Sequence, residues 1–532
     1  MYDLILHGRS IFTAGVSVPF PGALFIKNGI IESVHRGDTG QTSLPPAAEV
    51  IDCGGNLIMP GFCDSHIHGV LGSFQSQSVD LTGCSSEEEA VKKTADFYKD
   101  STLPRFVGFG WNHHNWIKNT LPERAAIDKV IKDKPVYLFN EELHSLWLNT
   151  AALKEAGIDD STPQPENGRI FKDDKGEPTG YLLEPGAIEL VSNIVFSLSP
   201  ENKKAMLRNL IKTAAGCGIT SFSDIQIYDT LDCEIYQQFL DKRELSSRIF
   251  PVFPMNEPID KLIAYRNKYD SDFLRFSGVK EFLDGTAAMY TGTLVKAYSD
   301  RPGYNAPPLV DVGQTTSRAV ELDRLGFRMR FHACGAGAVR LGLDIFEEVR
   351  KKNGPGGARH TIEHIENIAP IDIPRFKQLG VTASVQPDHL WSEKFETHPF
   401  HDILGPERCR WTWPFKSLSD SGADMAFGTD FPVSPLNPMQ GIYRAITRLH
   451  EDGKPEGGWN PEEKLGLADS LNLYTAGSAR AMYAEHSLGM LKSGMAADIA
   501  VIEGDLFEMS PDEIRDAKVQ MTISDGKIVY RR

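Results

Sequence analysis

Eight short apolar runs, at residues 61–68, 219–224, 248–253, 277–283, 327–332, 361–364, 381–386 and 424–430, alternate with amphipathic helical stretches such as 203–217 and 335–352. A continuous apolar run of this length suits a strand buried on both faces, and strands that alternate with helices build a parallel sheet. Eight of them predict an α/β fold with a closed (β/α)8 TIM-like barrel, whose functional residues sit at the C-terminal ends of the strands. The interval between the first two runs is too long for one crossover helix and holds further strand-like segments at 105–110 and 135–140. Residues 74–198 are therefore read as an insertion, which leaves the first strand at its C-terminal end and is expected to cover the barrel mouth.

The two ends of the chain share a different texture. Strand-like segments at 2–6, 23–27 and 30–35 surround an Asn28-Gly29 turn, and segments at 498–502, 519–524 and 527–531 surround Asp525-Gly526. Asn-Gly between alternating segments is a strong hairpin signal. Residues 1–58 and 487–532 are thus expected to form one small β-sandwich domain, leaving 59–486 as the barrel domain.

Charge narrows the function. A net charge of −16 over 532 residues argues against a phosphate-tracking surface for nucleic acid or an anionic membrane. The expected partner is a small-molecule substrate, and assembly into a homo-oligomer is left open. The N-terminus has no basic segment leading into an apolar one, and no window approaches the ~18 uninterrupted apolar residues of a membrane span, so a cytoplasmic location is expected. The seven cysteines, Cys53, Cys63, Cys84, Cys217, Cys233, Cys334 and Cys409, are odd in number, scattered and never two residues apart in a Cys-x-x-Cys pair. That spacing argues against a disulfide framework or a structural zinc knuckle.

The ends of the runs carry the chemistry. His66 and His68 occupy alternate positions of the first, so both project to one face. The fourth run contributes Lys280, the fifth His332, the sixth His364 and the eighth Asp430. A single histidine on a strand is commonly a polar core residue, but placement at the ends of successive runs favours ligation. If these ends converge, four imidazoles and a carboxylate suit zinc or another divalent first-row ion. Two readings of Lys280 stand. Burial and nearby cations depress a lysine pKa, so a neutral amine could take up carbon dioxide as an anionic, bridging carbamate. Alternatively, a plain ammonium binds a substrate carboxylate beside a single metal.

These motifs resemble the amidohydrolase superfamily over nearly the whole chain, from Pro60-Gly61-Phe62 with Asp64, His66 and His68 to Gly428-Thr429-Asp430. The split β domain is similar to that of the superfamily too. Gly110-Trp111-Asn112, Pro135-Val136, His144 within 142–153, Gly176 to Glu184, and Thr429 to Pro438 resemble amidohydrolase family 3, the YtcJ-like branch. The resemblance implies a metal-dependent hydrolase of C–N (amide-like) bonds other than peptide bonds. It implies one or two zinc ions, or another divalent transition metal, on His66, His68, Lys280, His332, His364 and Asp430. Asp430 would serve as general base towards water and as general acid towards the leaving nitrogen. One departure stands out: the branch usually has Gly-Asp after the fifth-strand histidine, whereas Gly335 is followed here by Ala336. No role is carried over for that acid.

Substrate contacts are expected from Trp111, His113, His114, His144 and Glu184 in the insertion, and from His389 and Trp391 after the seventh run. Each has a plainer reading as aromatic packing, a solvated imidazole, a cap or a loop residue. A decarboxylase, isomerase or lyase on the same site, and a non-catalytic scaffold, are the competing functions. The complete set of ligand types argues against the scaffold.

Overall fold

The computed structural model describes residues 1–37, 44–226, 234–392 and 394–532. Eight parallel strands form the barrel: β1 (Phe62–Ile67), β2 (Ile219–Ile225), β3 (Arg248–Pro254), β4 (Gly278–Phe282), β5 (Met329–Ala333), β6 (Thr361–His364), β7 (Thr382–Val385) and β8 (Met425–Phe427). Each pairs with the next in sequence order. A parallel bridge between Ile67 and Phe431 joins the end of β1 to the segment that follows β8. Every residue of β1, β2, β5, β6, β7 and β8 is buried, which explains why these strands read as continuous rather than alternating apolar runs.

Helices link the strands as the alternation predicts. Ala336–Asn353, between β5 and β6, buries Val339, Leu343, Phe346 and Val349, a three- and four-residue recurrence that lays one face on the sheet. Its last turn carries Arg350, Lys351 and Lys352, cations that complement the negative end of the helix dipole.

The terminal strands are hydrogen-bonded into one eight-stranded sheet, in which Leu57–Pro60 runs antiparallel to Ile499–Ile502 and so ties the two ends of the chain together. Leu6, Leu24, Ile58, Ile499 and Ile523 share its buried cluster. At both expected hairpin turns the central pair has positive φ: 52° and 74° for Asn28-Gly29, and 52° and 72° for Asp525-Gly526. That is the backbone of the turn type whose twist suits a tight hairpin.

A second compact unit is built mainly from His68–Leu210. Taken by itself, it carries a six-stranded sheet in the order Arg169–Lys172, Pro178–Leu183, Ser145–Leu148, Val136–Asn140, Phe106–Trp111, Val79–Asp80. Its core is aromatic, with the Trp111 ring 5.7 Å from Trp116 and 6.2 Å from both Trp147 and Tyr181. Among the described residues no helix is long and apolar enough to cross a membrane. No disulfide joins the described cysteines, and Cys233 lies outside the described residues.

Candidate metal centre

The C-terminal ends of the barrel strands bring most of the expected ligands together. His66 Nε2 lies 3.3 Å from Asp430 Oδ1, and His364 Nδ1 lies 3.7 Å from Asp430 Oδ2. The His364 ring centroid is 5.0 Å from that of His66 and 4.3 Å from that of His332. All four side chains are buried. Ligand atoms of His66, His364 and Asp430 lie within 4.8 Å of one another, and so do those of His332, Cys334 and His364. His68, also buried, is the residue between β1 and the helix Gly69–Gln75.

His66 is held in a defined state. Its Nδ1 is 2.9 Å from Glu363 Oε2, which leaves Nε2 towards Asp430. Glu363 is itself bound by Arg330, whose Nη2 donates to Ser65 O at 2.6 Å. Burial works against a charged Glu363, but the Arg330 guanidinium and His66 hold its carboxyl well below the usual range. Burial, reinforced by Lys280, pushes the His66 imidazole down to about 4, and burial beside His332 and Lys280 takes His364 well below its ordinary value. Both rings are therefore neutral near pH 7, the form that ligates metal.

Lys280 is buried, and its Nζ has no hydrogen-bond partner among the described residues. Burial pushes its ammonium down to about 8, although the Glu363 and Asp430 carboxylates pull the other way. His389, expected to touch substrate, joins the cluster with Nε2 3.4 Å from Asp430 Oδ2 and Nδ1 3.4 Å from Glu366 Oε1. Burial disfavours its cation, yet the Glu366 and Asp430 carboxylates raise it above its ordinary value. Trp391 follows the turn Pro387–Leu390 and is half-buried.

The backbone at two strand ends is strained. His364 has φ 75° and Asp430 φ 57°, a region that costs a residue with a Cβ about 1–3 kcal/mol. Ile365 N donates to Ala333 O at 3.1 Å and Asp430 N to His66 O at 2.8 Å, so neighbouring strands fix both turns. Asp64 adds a second clamp across the same seam. Its carboxylate accepts from Thr429 N, Thr429 Oγ1 and His66 N, although burial pushes that carboxyl up to about 7. Gly428 permits the approach, because a Cβ there would stand 2.7 Å from His66 N.

Sequence reading missed Asp64, Arg330, Glu363 and Cys334 as site residues. The signal for the first three was a charge inside an otherwise apolar run, since a buried charge requires a partner. In the insertion unit, His144 Nδ1 is 2.7 Å from Glu184 Oε2 with both side chains buried. The His113 and His114 rings lie 4.0 Å apart, and Trp111 is fully buried with Nε1 donating to Leu138 O.

A parallel barrel with neutral imidazoles and a carboxylate gathered at its strand ends defines the class of metal-dependent hydrolase barrels. Residues 49–530 match the model of the amidohydrolase family, and the chain belongs to that family. It is 30% identical to the LONG AFTER FAR-RED 3 protein of Arabidopsis thaliana, across 99% of this chain and 91% of that one. Identity to YtcJ of Bacillus subtilis (strain 168) is 28%, across 99% of each chain. Identity to the N-substituted formamide deformylase of Arthrobacter pascens is 23%, across 100% of this chain and 99% of the relative. The crystal structure of an uncharacterized metal-dependent hydrolase from Pyrococcus horikoshii superposes with a TM-score of 0.75 at 24% identity, covering 96% of this chain and 99% of that one.

Proposed function

We propose that the protein hydrolyses an amide-like C–N bond, other than a peptide bond, in a small-molecule substrate. The ligands are His66, His68, Lys280, His332, His364 and Asp430, with zinc as the ion and another divalent transition metal as the alternative. The observation that carries this reading is the gathering of neutral imidazoles around the Asp430 carboxylate. The residues fit a metal by a second criterion. Lys280 Nζ and His364 Nδ1 are buried with no hydrogen-bond partner among the described residues, a state that buried polar atoms otherwise avoid. When bound, the ion supplies Lewis-acid polarisation of a carbonyl and brings the pKa of a water towards about 7.

The chain's own groups do the rest. Asp430 orients the water, takes its proton as the water adds to the carbonyl carbon, and returns that proton to the nitrogen as the C–N bond breaks. His389 is read as the donor that steadies charge on the carbonyl oxygen. Glu363 keeps His66 in the tautomer whose Nε2 can ligate. Lys280, if its neutral amine takes up carbon dioxide as a carbamate, would add an anionic oxygen ligand to the metal site. The name of the Arthrobacter relative, a deformylase of N-substituted formamides, supports the choice of a C–N bond.

The test is metal analysis of the purified protein followed by a panel of amides, esters and lactones. Metal-dependent turnover of amides is expected, with Asp430→Asn keeping most of the metal and losing about 10²–10⁴ in rate. A metal-loaded protein that turns over only decarboxylation or isomerisation substrates, or an Asp430→Asn variant of wild-type rate, would refute the assignment.

A further inference from the structure

Cys334 is the residue after β5, two positions beyond His332, so that in the extended chain both side chains share a face. It is buried, with Sγ 3.3 Å from His332 Nε2. Its position is tightly fixed. Cys334 N donates to Asp284 Oδ1 at 3.0 Å, and Gly335 N donates to Asp284 Oδ2 at 2.9 Å. Asn367 N donates to Cys334 O at 3.0 Å, which ties the same turn to the chain beyond β6. Gly335 itself lies close against the chain, since a Cβ there would stand 2.3 Å from Thr293 O.

A second observation points to a ligand. His364 Nδ1 is buried without a hydrogen-bond partner among the described residues, and His364 offers a ring nitrogen within 4.8 Å of both Cys334 Sγ and a His332 nitrogen. Lys280 Nζ is also buried without such a partner among the described residues. We infer that Cys334 is itself a metal ligand, forming with His332 and His364 a two-nitrogen, one-sulfur donor set. The inference rests on the metal-dependent reading above and deepens it. Nitrogen and thiolate sulfur are both donors that zinc accepts. Binding releases the thiol proton to solvent, and a soft thiolate biases the site towards zinc or cobalt and away from magnesium and manganese.

Cobalt(II) substitution of the full chain tests this directly. Wild type should show a near-ultraviolet thiolate-to-cobalt charge-transfer band, and Cys334→Ser should lack it. In a chelator competition the same variant should bind zinc about tenfold more weakly or worse. Cys409→Ser should change neither reading, since Cys409 Sγ donates to Phe400 O elsewhere in the chain. Should Cys334→Ser fail to fold, X-ray absorption at the zinc edge of the wild-type protein decides the matter. One sulfur in the coordination shell supports the inference, and a shell of nitrogen and oxygen alone overturns it while leaving the hydrolase reading intact. A protein that takes up neither zinc nor cobalt would overturn both.

Discussion

Glu363→Gln should separate what the buried carboxylate does for the fold from what it does for the metal. Glu363 is wholly buried and faces two donors, with Oε1 towards Arg330 and Oε2 2.9 Å from His66 Nδ1. An amide of the same shape must choose. Arg330 is a permanent donor, so the amide oxygen turns to it and the amide nitrogen faces His66 Nδ1. That nitrogen must then accept, which moves the ring proton to Nε2, the atom directed at Asp430, and blocks it as a ligand. Losing an outer partner of a ligating histidine typically weakens metal binding about 10–100-fold. Arg330 meanwhile loses its anion while only 1% exposed. Breaking a buried pair costs about 3–5 kcal/mol, and the retained hydrogen bond places this case near the lower end. Zinc affinity by chelator competition and thermal unfolding of the metal-free protein report the two effects separately. Affinity within about twofold of wild type would refute the tautomer argument, whatever happens to stability.

Gly428→Ala should force β8 away from β1, since its Cβ would meet His66 N at 2.7 Å and Asp64 Oδ1 at 3.0 Å. A loss of about 1–3 kcal/mol and faster amide exchange at Asp430 are expected, and wild-type values for both would show that the seam is looser than argued. The metal-free protein should weaken in acid, because the unfolded chain protonates histidine near pH 6.5 whereas burial holds folded His66 and His450 to about 4. Stability is then full above about pH 6.5 and falls as pH drops to about 4, by roughly 3 kcal/mol for each ring. Urea unfolding with a flat profile across that window would contradict it. Lys280→Ala should lower metal content and activity together, with partial rescue by bicarbonate or a short carboxylic acid. A variant that keeps wild-type metal content would retire the bridging carbamate.

Barrel strands were legible because burial on both faces leaves a continuous apolar run, and each of the eight runs overlaps one strand. Their ends were less so. The last run was read as 424–430, yet β8 is only Met425–Phe427, because Asp430 turns out at φ 57° to face the other donors. His364 shows the same effect. Strand alternation puts Glu363 and His364 on opposite faces, but the positive φ of 75° at His364 lets both serve the centre. The pairing of Arg330 with Glu363 lies across neighbouring strands, and a single sequence carries no record of which residues meet across a sheet. Cys334 was not among the candidates because cysteine spacing addresses metal knuckles and disulfides, whereas its 3.3 Å contact with His332 Nε2 is set by the geometry of one strand end.

The seam between β1 and β8 is where the barrel closes and also where the donors sit. A regular ladder does not span it. One bridge, Ile67 to Phe431, is joined by the Asp430 N to His66 O bond and by three donors on the Asp64 carboxylate. Regular strands would have carried residues 429 and 430 onward in extended conformation, with successive side chains on opposite faces. The side-chain clamp instead tolerates a positive φ and lets Asp430 face His66 at 3.3 Å. Closure and metal affinity are therefore linked. Donors drawn from both sides of the seam converge only while it is shut, so an ion that binds the closed form alone stabilises it, by about 2.7 kcal/mol at one hundred times its Kd. The same linkage runs in reverse: a substitution that loosens the seam without touching a ligand, Gly428→Ala among them, must weaken metal binding by whatever free energy it takes to close the seam again.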